Sequence, residues 1–194
     1  RDLDQALTAH GRERESFLVE LADSIRLRRE IGENRISREE LYSLWTDLDA
    51  SGDNSLYAKL FLNKALSNPP DPDFGPLSGG KEIRGHQLPL LSKKSQLLAV
   101  LRWKEGDLRA VTEEIGLAGP DAKLNLANLS KLHRYALLAR SLSVAVPEML
   151  ALLRLTDALP FRSPADTLAL FGLRREIVDS GFRIADLAYL LLDL

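Results

Sequence analysis

The residues best suited to bind an ion lie in the stretch TDLDASGDNSLY, residues 46–57. Five of them take the first, third, fifth, sixth and seventh positions of a calcium-binding EF-hand loop: Asp47, Asp49, Ser51, Gly52 and Asp53. The twelfth position of such a loop needs a glutamate that supplies two oxygens, and this chain has Ala58 there. The eighth position should be apolar and is Asn54. The missing carboxylate argues against calcium binding, which is kept as an alternative function.

A turn between two helices is the simpler interpretation of the same stretch. Asp, Ser and Asn side chains hydrogen-bond readily to nearby backbone groups, and so they stabilise turns. Either Asn54 or Ser55 can then cap a helix that begins at Leu56. We therefore predict a turn followed by a capped helix.

A second stretch, from Gly75 to Lys81, has the Gly-x4-Gly-Lys spacing of a phosphate-binding loop. Such a loop needs Ser or Thr after the lysine to hold magnesium, but Glu82 follows here, and its charge would repel phosphate. Ser78 and Lys81 also match the Ser-x-x-Lys pair of some acyl-transfer enzymes, whose partner motifs are missing. Both matches are interpreted as accidents of a flexible Gly- and Pro-rich loop.

No other residues assemble a catalytic or metal site in the sequence. The three histidines are far apart: His10, His86 and His133. We predict that His133 lies on a helix surface, and that the carboxylate pairs Glu39/Glu40 and Glu113/Glu114 are solvated on charged helix faces. Because no nucleophile, base and oxyanion donors occur together, we predict no enzyme activity, no cofactor, and no catalytic, cofactor-binding or metal-binding residues.

The composition is typical of a folded globular chain. Of the 194 residues, 45% are apolar and 28% are charged, which excludes a disordered protein. The net charge of −2 argues against a nucleic-acid partner bound through a basic face. The chain contains no cysteine, so disulfides, thiolate nucleophiles and cysteine-ligated metals are excluded.

The ends of the chain and its most apolar region indicate whether this segment carries a signal peptide or a membrane-spanning helix. The chain begins RDLDQALTAH and ends LAYLLLDL, which we interpret as an excised fragment of a longer protein, with no signal peptide in this part. Residues 135–155 are interrupted by Arg140, Pro147, Glu148 and Arg154. They fall short of the ~18 consecutive apolar residues of a membrane-spanning helix. We expect no direct membrane insertion by this segment.

Apolar residues recur at helical spacing and no segment reads as a strand, so the predicted fold class is all-α. We expect a multi-helix array or irregular bundle of about eight to nine helices. Ser37 with Glu40 forms a capping box, Ser163 precedes a proline, and Gly181 suits a helix C-terminus. The predicted helices are one that stops near Gly32, one that begins at Ser37, and residues 56–66, 92–102, 105–116, 126–142, 146–156, 164–179 and 184–193.

Along the chain, composition divides the sequence into three parts. Residues 1–68 form an N-terminal helical segment, residues 69–89 a Pro/Gly-rich connector or exposed loop, and residues 90–194 a C-terminal helical segment. Together they are predicted to form one contiguous helical domain.

Four places in the chain share what we term the helix-start pattern. It consists of an apolar residue, an acid four residues later, Leu or Met at five, and an apolar residue at eight. The four copies are Ile36/Glu40/Leu41/Leu44, Trp103/Asp107/Leu108/Val111, Val144/Glu148/Met149/Leu152 and Phe182/Asp186/Leu187/Leu190. The apolar residue packs back on the first turn of the helix, while the acid faces the positive end of the helix dipole. The spacing of the last three copies raises the hypothesis of degenerate helical-pair repeats, beside chance agreement in a leucine-rich chain.

Several stretches resemble the shell region of the A component of insecticidal toxin complexes (Tc toxins), a family that also includes virulence-plasmid A proteins. Residues 129–144, LSKLHRYALLARSLSV, and the following PEMLALL are similar to the family's "LSRLYRHALLAKAL" helix and "LSVEELLALL" segment. The turn Asp157-Ala-Leu-Pro-Phe161 is similar to its "DPF" turn. Residues 55–63, SLYAKLFLN, with the later Asn68-Pro-Pro70, resemble a further family stretch, so that the similarity spans roughly residues 37–192.

This resemblance implies a function without an active site. The family's A component is a very large subunit that assembles as a homo-pentamer, with a helical shell around a translocation channel, and other subunits carry the toxic enzyme. The chain would then be a structural shell segment, secreted or attached to the bacterial surface. Its expected partners are other domains and protomers of the same subunit, other toxin-complex subunits and a host receptor. A stand-alone helical protein–protein interaction module is the alternative.

Overall fold

The structure is a computed structural model that describes residues 14–64, 69–77 and 79–192. These residues contain nine α-helices and no strand, which confirms the predicted all-α fold class. The helices are α1 (Arg14–Ile31), α2 (Arg38–Tyr42), α3 (Leu56–Phe61), α4 (Lys94–Leu101), α5 (Glu105–Glu114), α6 (Leu126–Leu142), α7 (Val146–Thr156), α8 (Pro164–Asp179) and α9 (Ile184–Leu192). Two 3₁₀ turns, Pro72–Phe74 and Leu90–Lys93, lie between α3 and α4.

The ends of several helices are set by capping residues close to them in sequence. The Ser37 hydroxyl accepts a hydrogen bond from the Glu40 amide, and the Glu40 carboxylate accepts one from the Ser37 amide, so the predicted capping box is confirmed. Ser163 caps α8 through the Asp166 amide, with proline in the first turn. Gly181 has the positive φ predicted for it, +82°.

Helix α3 is shorter than the predicted span of residues 56–66. It ends at Phe61, so that prediction is wrong for residues 62–64, whereas residues 65–66 lie outside the described part of the chain. Asn63 follows closely, and asparagine competes with helical hydrogen bonds through its own side chain.

The chain divides into two compact units. The first comprises Arg1–Thr46 and Leu137–Leu194, and the second is Asp47–Ala136. Helix α6 contributes to both, because the division falls between Ala136 and Leu137. The division into residues 1–68, 69–89 and 90–194 follows composition along the chain and stays a prediction.

In the first unit, α1 packs on α8, and α9 packs on α7. The indole Nε1 of Trp45 donates a hydrogen bond to Thr167 Oγ1 at 3.0 Å, which ties the end of the α2 region to α8. The Arg140 guanidinium bonds to the Glu40 carboxylate, which joins α2 to the last part of α6. The core of this unit is therefore built from residues far apart in sequence.

The second unit is organised around three stacked aromatic rings. Tyr57 and Phe61 of α3 have ring centroids 5.0 Å apart, and Phe61 lies 5.4 Å from Phe74 in the Pro-rich stretch. The Tyr57 hydroxyl also donates to the Phe74 carbonyl at 2.8 Å. Phe74 and Ile83 are fully buried, whereas most of the other described residues of the stretch 69–89 are exposed or partly exposed. The apolar residues within this Gly/Pro stretch anchor it to the unit.

All four copies of the helix-start pattern lie at helix starts. Helices α2, α5, α7 and α9 each begin two residues after the pattern's first apolar residue. In the first three copies, the apolar residues that lie five and eight residues after the first one are buried: Leu41, Leu44, Leu108, Val111, Met149 and Leu152. In the fourth copy, Phe182 and Leu190 are 49% and 64% exposed. Whether the copies descend from a repeat stays a prediction.

No single helix in the described ranges is long and apolar enough to cross a membrane. Among the described helices, α6 and α7 taken together reach the required length and composition, but the chain bends by 94° at the break between them.

Candidate functional site

The Asp-rich turn, residues 47–54, has its first two acids engaged within the protein. Asp47 Oδ1 accepts a hydrogen bond from the Arg134 guanidinium at 2.8 Å. Asp49 Oδ1 accepts from the Ser51 amide at 2.8 Å and from the Ser51 hydroxyl. These are the side chain-to-backbone bonds of an ordinary turn, as the sequence predicts. A cation at this turn would have to compete with Arg134 for the Asp47 carboxylate.

The end of the calcium-like loop is built into a helix. Ser55 accepts a hydrogen bond from the Ala58 amide at 3.1 Å and is the N-cap of α3, which confirms one of the two predicted caps. Ala58, in the position where an EF-hand has its closing glutamate, is buried. Within the described residues, no group of three or more His, Cys, Asp or Glu side chains could hold a metal ion.

The Gly75–Lys81 stretch forms a tight hairpin-like turn. The Leu77 amide donates to the Glu82 carbonyl at 2.8 Å, and the Gly80 amide donates back to the Leu77 carbonyl at 2.9 Å. A phosphate-binding loop needs such amides free to point at the ligand. Both of these are used inside the turn. Ser78, the serine of the acyl-transfer match, lies outside the described residues.

Glu82 has a structural role next to this turn. Its Oε1 accepts hydrogen bonds from the Ile83 amide at 3.0 Å and from the Leu126 amide at 3.3 Å. Leu126 is the first residue of α6, so the carboxylate satisfies a backbone donor that the helix leaves open and faces the positive end of the helix dipole.

The two turns that resemble binding motifs pack directly against each other. A Cβ atom added to Gly80, whose φ is +66°, would come within 2.5 Å of the Ser51 amide nitrogen. Such a distance is inside van der Waals contact, so only glycine fits at position 80. The glycine of the phosphate-loop match is therefore explained by close backbone packing against the Asp-rich turn.

The histidines do not come together as a site. His10 lies outside the described residues, and His86 Nδ1 is 2.9 Å from the Ile83 carbonyl oxygen. His133 is buried, only 3% exposed, so its predicted surface position is wrong. It lies four residues after Leu129 and four residues before Leu137, which are both buried, so it falls on the apolar stripe of α6.

The paired carboxylates behave differently from one another. Glu113 and Glu114 are exposed, as predicted. Glu40 is half-buried, so the prediction of a solvated face is wrong for it. Burial works to raise the pKa of the Glu40 carboxyl, but hydrogen bonds from Ser37 and the charge of Arg140 lower it below its usual value.

A cleft of about 450 Å³ lies in the second unit between α4 and α5. Lys94 and Glu105 line it and form an ion pair at 3.0 Å. The Thr112 hydroxyl, also in the lining, donates to the Arg109 carbonyl at 3.0 Å. The charges of Lys94 and Glu105 compensate each other, and the hydroxyl of the buried Thr112 is satisfied within α5.

Exposed apolar surface is the feature that reasoning from sequence missed. In the described residues of the first unit, large apolar side chains are exposed on three helices and at Leu159. On α1 they are Leu18, Val19 and Ile25. On α8, on α9 and in the turn between them, they are Leu173, Val178, Phe182, Tyr189, Leu190 and Leu191. The signal is visible in α9, whose sequence IADLAYLLL is apolar almost all round, a pattern typical of a helix covered on both faces. Only Ile184 and Ala188 of this helix are buried.

Comparison with known proteins adds no relationship. No protein-family model, no curated protein and no solved structure matches this chain.

Proposed function

We propose that this chain is a non-catalytic segment of the helical shell of a large bacterial toxin subunit. It would contribute to assembly of that subunit and to contact with the host surface, and it would act outside the bacterium or on its surface. Its partners would be other domains and protomers of a homo-pentameric subunit, further toxin-complex subunits and a host receptor.

The resemblance to the Tc toxin A component carries this proposal. The residues that carry it form one helix, a short turn and a second helix. Residues 129–142 belong to α6, and residues 147–153 belong to α7. Asp157, at the "DPF"-like turn, ends α7 in the left-handed conformation with φ +49°. The proposal rests on the resemblance of these residues together with this order of helices and turns.

The side-chain chemistry supports a structural role. The two stretches that resemble binding motifs consist of turns whose polar groups bond to one another, as described for Asp49 and Gly80. Apolar side chains are exposed on α1, α8 and α9 instead. Large contiguous patches of exposed apolar side chains mark surfaces that pack against other protein.

A stand-alone helical interaction module is the second candidate. The exposed face of α9 favours it equally, because such a face would serve a separate partner as well as a neighbouring domain. The two candidates differ in the size and the assembly of the protein that contains this chain.

Electron microscopy and native mass spectrometry of the protein purified from its own gene separate the two candidates. The shell proposal predicts a very large subunit that assembles as a fivefold particle, with residues 14–192 in its outer helical layer. A short protein without a channel-forming region, or a large one that stays monomeric, would contradict the shell proposal and favour the interaction module.

A further inference from the structure

The cleft between α4 and α5 is large enough to hold a small organic molecule. Its volume of about 450 Å³ lies within the range of ~300–1,000 Å³ that is typical of ligand pockets. The apolar part of its lining consists of Leu91, Leu108 and Ala118. Leu108 is buried, whereas Leu91 is 38% exposed. The cleft therefore offers apolar surface to the body of a ligand.

Four charged side chains also line the cleft, and two of them are already paired. Lys94 Nζ lies 3.0 Å from Glu105 Oε2, so these two charges neutralise each other. Arg109 and Glu113 of α5 are exposed, and neither has an ion-pair partner in the described part of the chain. One positive and one negative charge in the lining are thus left for a ligand.

Arg109 and Glu113 are neighbours on α5 that do not pair with each other. They are four residues apart, so their Cβ atoms lie about 5–6 Å from each other along one side of the helix. An ion pair at this spacing is more favourable when the acid comes first in sequence, and here the arginine comes first. The order of the two residues accounts for their unpaired state.

Two unpaired charges of opposite sign restrict the charge of the ligand. A ligand with a single negative charge is attracted by Arg109 but repelled by Glu113, and a single positive charge has the reverse problem. A neutral apolar ligand takes water from both charges and gives nothing in return. A ligand that carries one charge of each sign meets an opposite charge at both residues. The lining therefore favours a zwitterion.

We propose that the cleft between α4 and α5 binds a small zwitterion with an apolar body, of the class of apolar dipeptides. The carboxylate binds Arg109, whose guanidinium can donate two parallel hydrogen bonds to it, and the ammonium group binds Glu113. An extended dipeptide spans about 7 Å, close to the separation of two side chains one helical turn apart. This ligand site lies outside the proposed shell function and does not depend on it.

NMR titration of the full chain with the dipeptide Leu-Leu tests the proposal. We expect saturable shifts of the α5 amide signals between Gly106 and Glu113, with millimolar affinity because both charges are exposed and each ion pair is weak. Leu-Leu with an acetylated N-terminus or an amidated C-terminus keeps the apolar body and loses one charge. Each blocked form should bind about fivefold more weakly.

Replacement of each charged residue assigns the two ends of the ligand. Arg109→Gln should weaken binding of Leu-Leu about fivefold and remove its advantage over the amidated form. Glu113→Gln should do the same relative to the acetylated form. Glu114→Gln is the matched control, because Glu114 is an exposed acid of α5 outside the cleft lining. It should bind Leu-Leu like the unmodified chain.

A larger side chain at Gly106 tests whether the ligand occupies the cleft itself. Gly106 belongs to the lining, and a Cβ atom added there would meet no other atom within 4 Å. Gly106→Leu should therefore fold and fill part of the cleft, with loss of Leu-Leu binding. Gly172→Leu is its control, since Gly172 also lies on a helix with no atom within 4 Å of an added Cβ. It should leave binding unchanged.

Three results would overturn the proposal. The first is the absence of saturable shifts at every concentration that Leu-Leu reaches in solution. The second is equal binding of Leu-Leu and either blocked form. The third is unchanged binding in Arg109→Gln or Glu113→Gln. Circular dichroism and thermal melting check that each variant is folded. If Gly106→Leu unfolds, the two charge variants still decide, because they alter exposed side chains.

Discussion

The third and fourth copies of the helix-start pattern begin α7 and α9 in the same unit, yet their apolar residues have opposite surroundings. In the third copy, Met149 and Leu152 are fully buried. In the fourth copy, Phe182 and Leu190 are largely exposed. Both copies begin a helix at the same register. The pattern therefore determines where a helix begins, whereas burial depends on what packs over it.

The packing of the first unit accounts for the difference. Helix α9 packs on α7, which carries the third copy. The part of α9 that makes this contact is the side of Ile184 and Ala188, which are the buried residues of the helix. No described helix covers the other side of α9 in the same way, and it keeps its apolar residues in solvent.

Truncation of the matched leucines gives the largest expected effect. Leu152 and Leu190 each lie eight residues after the first residue of their copy, and Leu152 is buried whereas Leu190 is exposed. Leu152→Ala should lower the free energy of unfolding by about 2–5 kcal/mol, because it leaves a cavity in the core. Leu190→Ala should lower it by roughly 0.5 kcal/mol or less, because the side chain is already largely exposed. Urea unfolding measures both variants, and equal losses would contradict the difference in burial between the two leucines.

The helix caps give the next effect. The first copy has a reciprocal capping box at Ser37 and Glu40. Ser37→Ala should lower the free energy of unfolding by about 1 kcal/mol, since it leaves the Glu40 amide without its partner. Ser37→Asp keeps an acceptor at the cap and is expected to retain most of the stability. Chemical denaturation of the two variants measures the difference, and equal stability would show that this cap contributes little.

The pattern's acids predict a smaller, pH-dependent effect. The pKa of Glu40 is lowered in the folded state, so its contribution to stability is present above the pKa of an unfolded glutamate, about 4.3, and is lost as the pH falls through the folded pKa. The stability advantage of the unmodified chain over Glu40→Gln should therefore shrink on acidification. Hydrogen bonding to Arg183 also lowers the pKa of Asp186, but this pair lies at the surface, with Arg183 exposed and Asp186 partly exposed. Asp186→Asn should change the pH profile much less.

Unfolding curves recorded at neutral pH and at about pH 3 measure these profiles. A Glu40→Gln profile parallel to that of the unmodified chain would contradict the assignment of Glu40 as a stabilising acid.

Calcium gives the smallest expected effect. Asp47 is bound to Arg134, and Ala58 replaces the closing glutamate of an EF-hand. Millimolar calcium should therefore leave the melting temperature unchanged and release no heat in a titration. A saturable heat that disappears in Asp49→Asn would restore the calcium alternative.

Local signals in the sequence predict most of the helices. The spans of α6, α7 and α8 agree with their predicted bounds because caps, prolines and apolar spacing all act within a few residues. The turn at Asp49 and the cap at Ser55 are predicted for the same reason.

Features that depend on distant residues were not predicted. The burial of Phe74 and Ile83 depends on a partner surface, and the requirement for glycine at position 80 depends on Ser51, which is far away in sequence. The burial of His133 likewise depends on how α6 packs and has no local signal. The exposed face of α9 belongs to this class too, because the sequence shows only that the helix is apolar.

Hydroxyl-radical footprinting tests the contrast between the two copies most directly. We predict that Tyr189 and Phe182, which are exposed, are modified, while Met149, which is buried but reacts readily when exposed, stays protected. Rapid oxidation of Met149, or protection of Tyr189 and Phe182, would contradict this contrast.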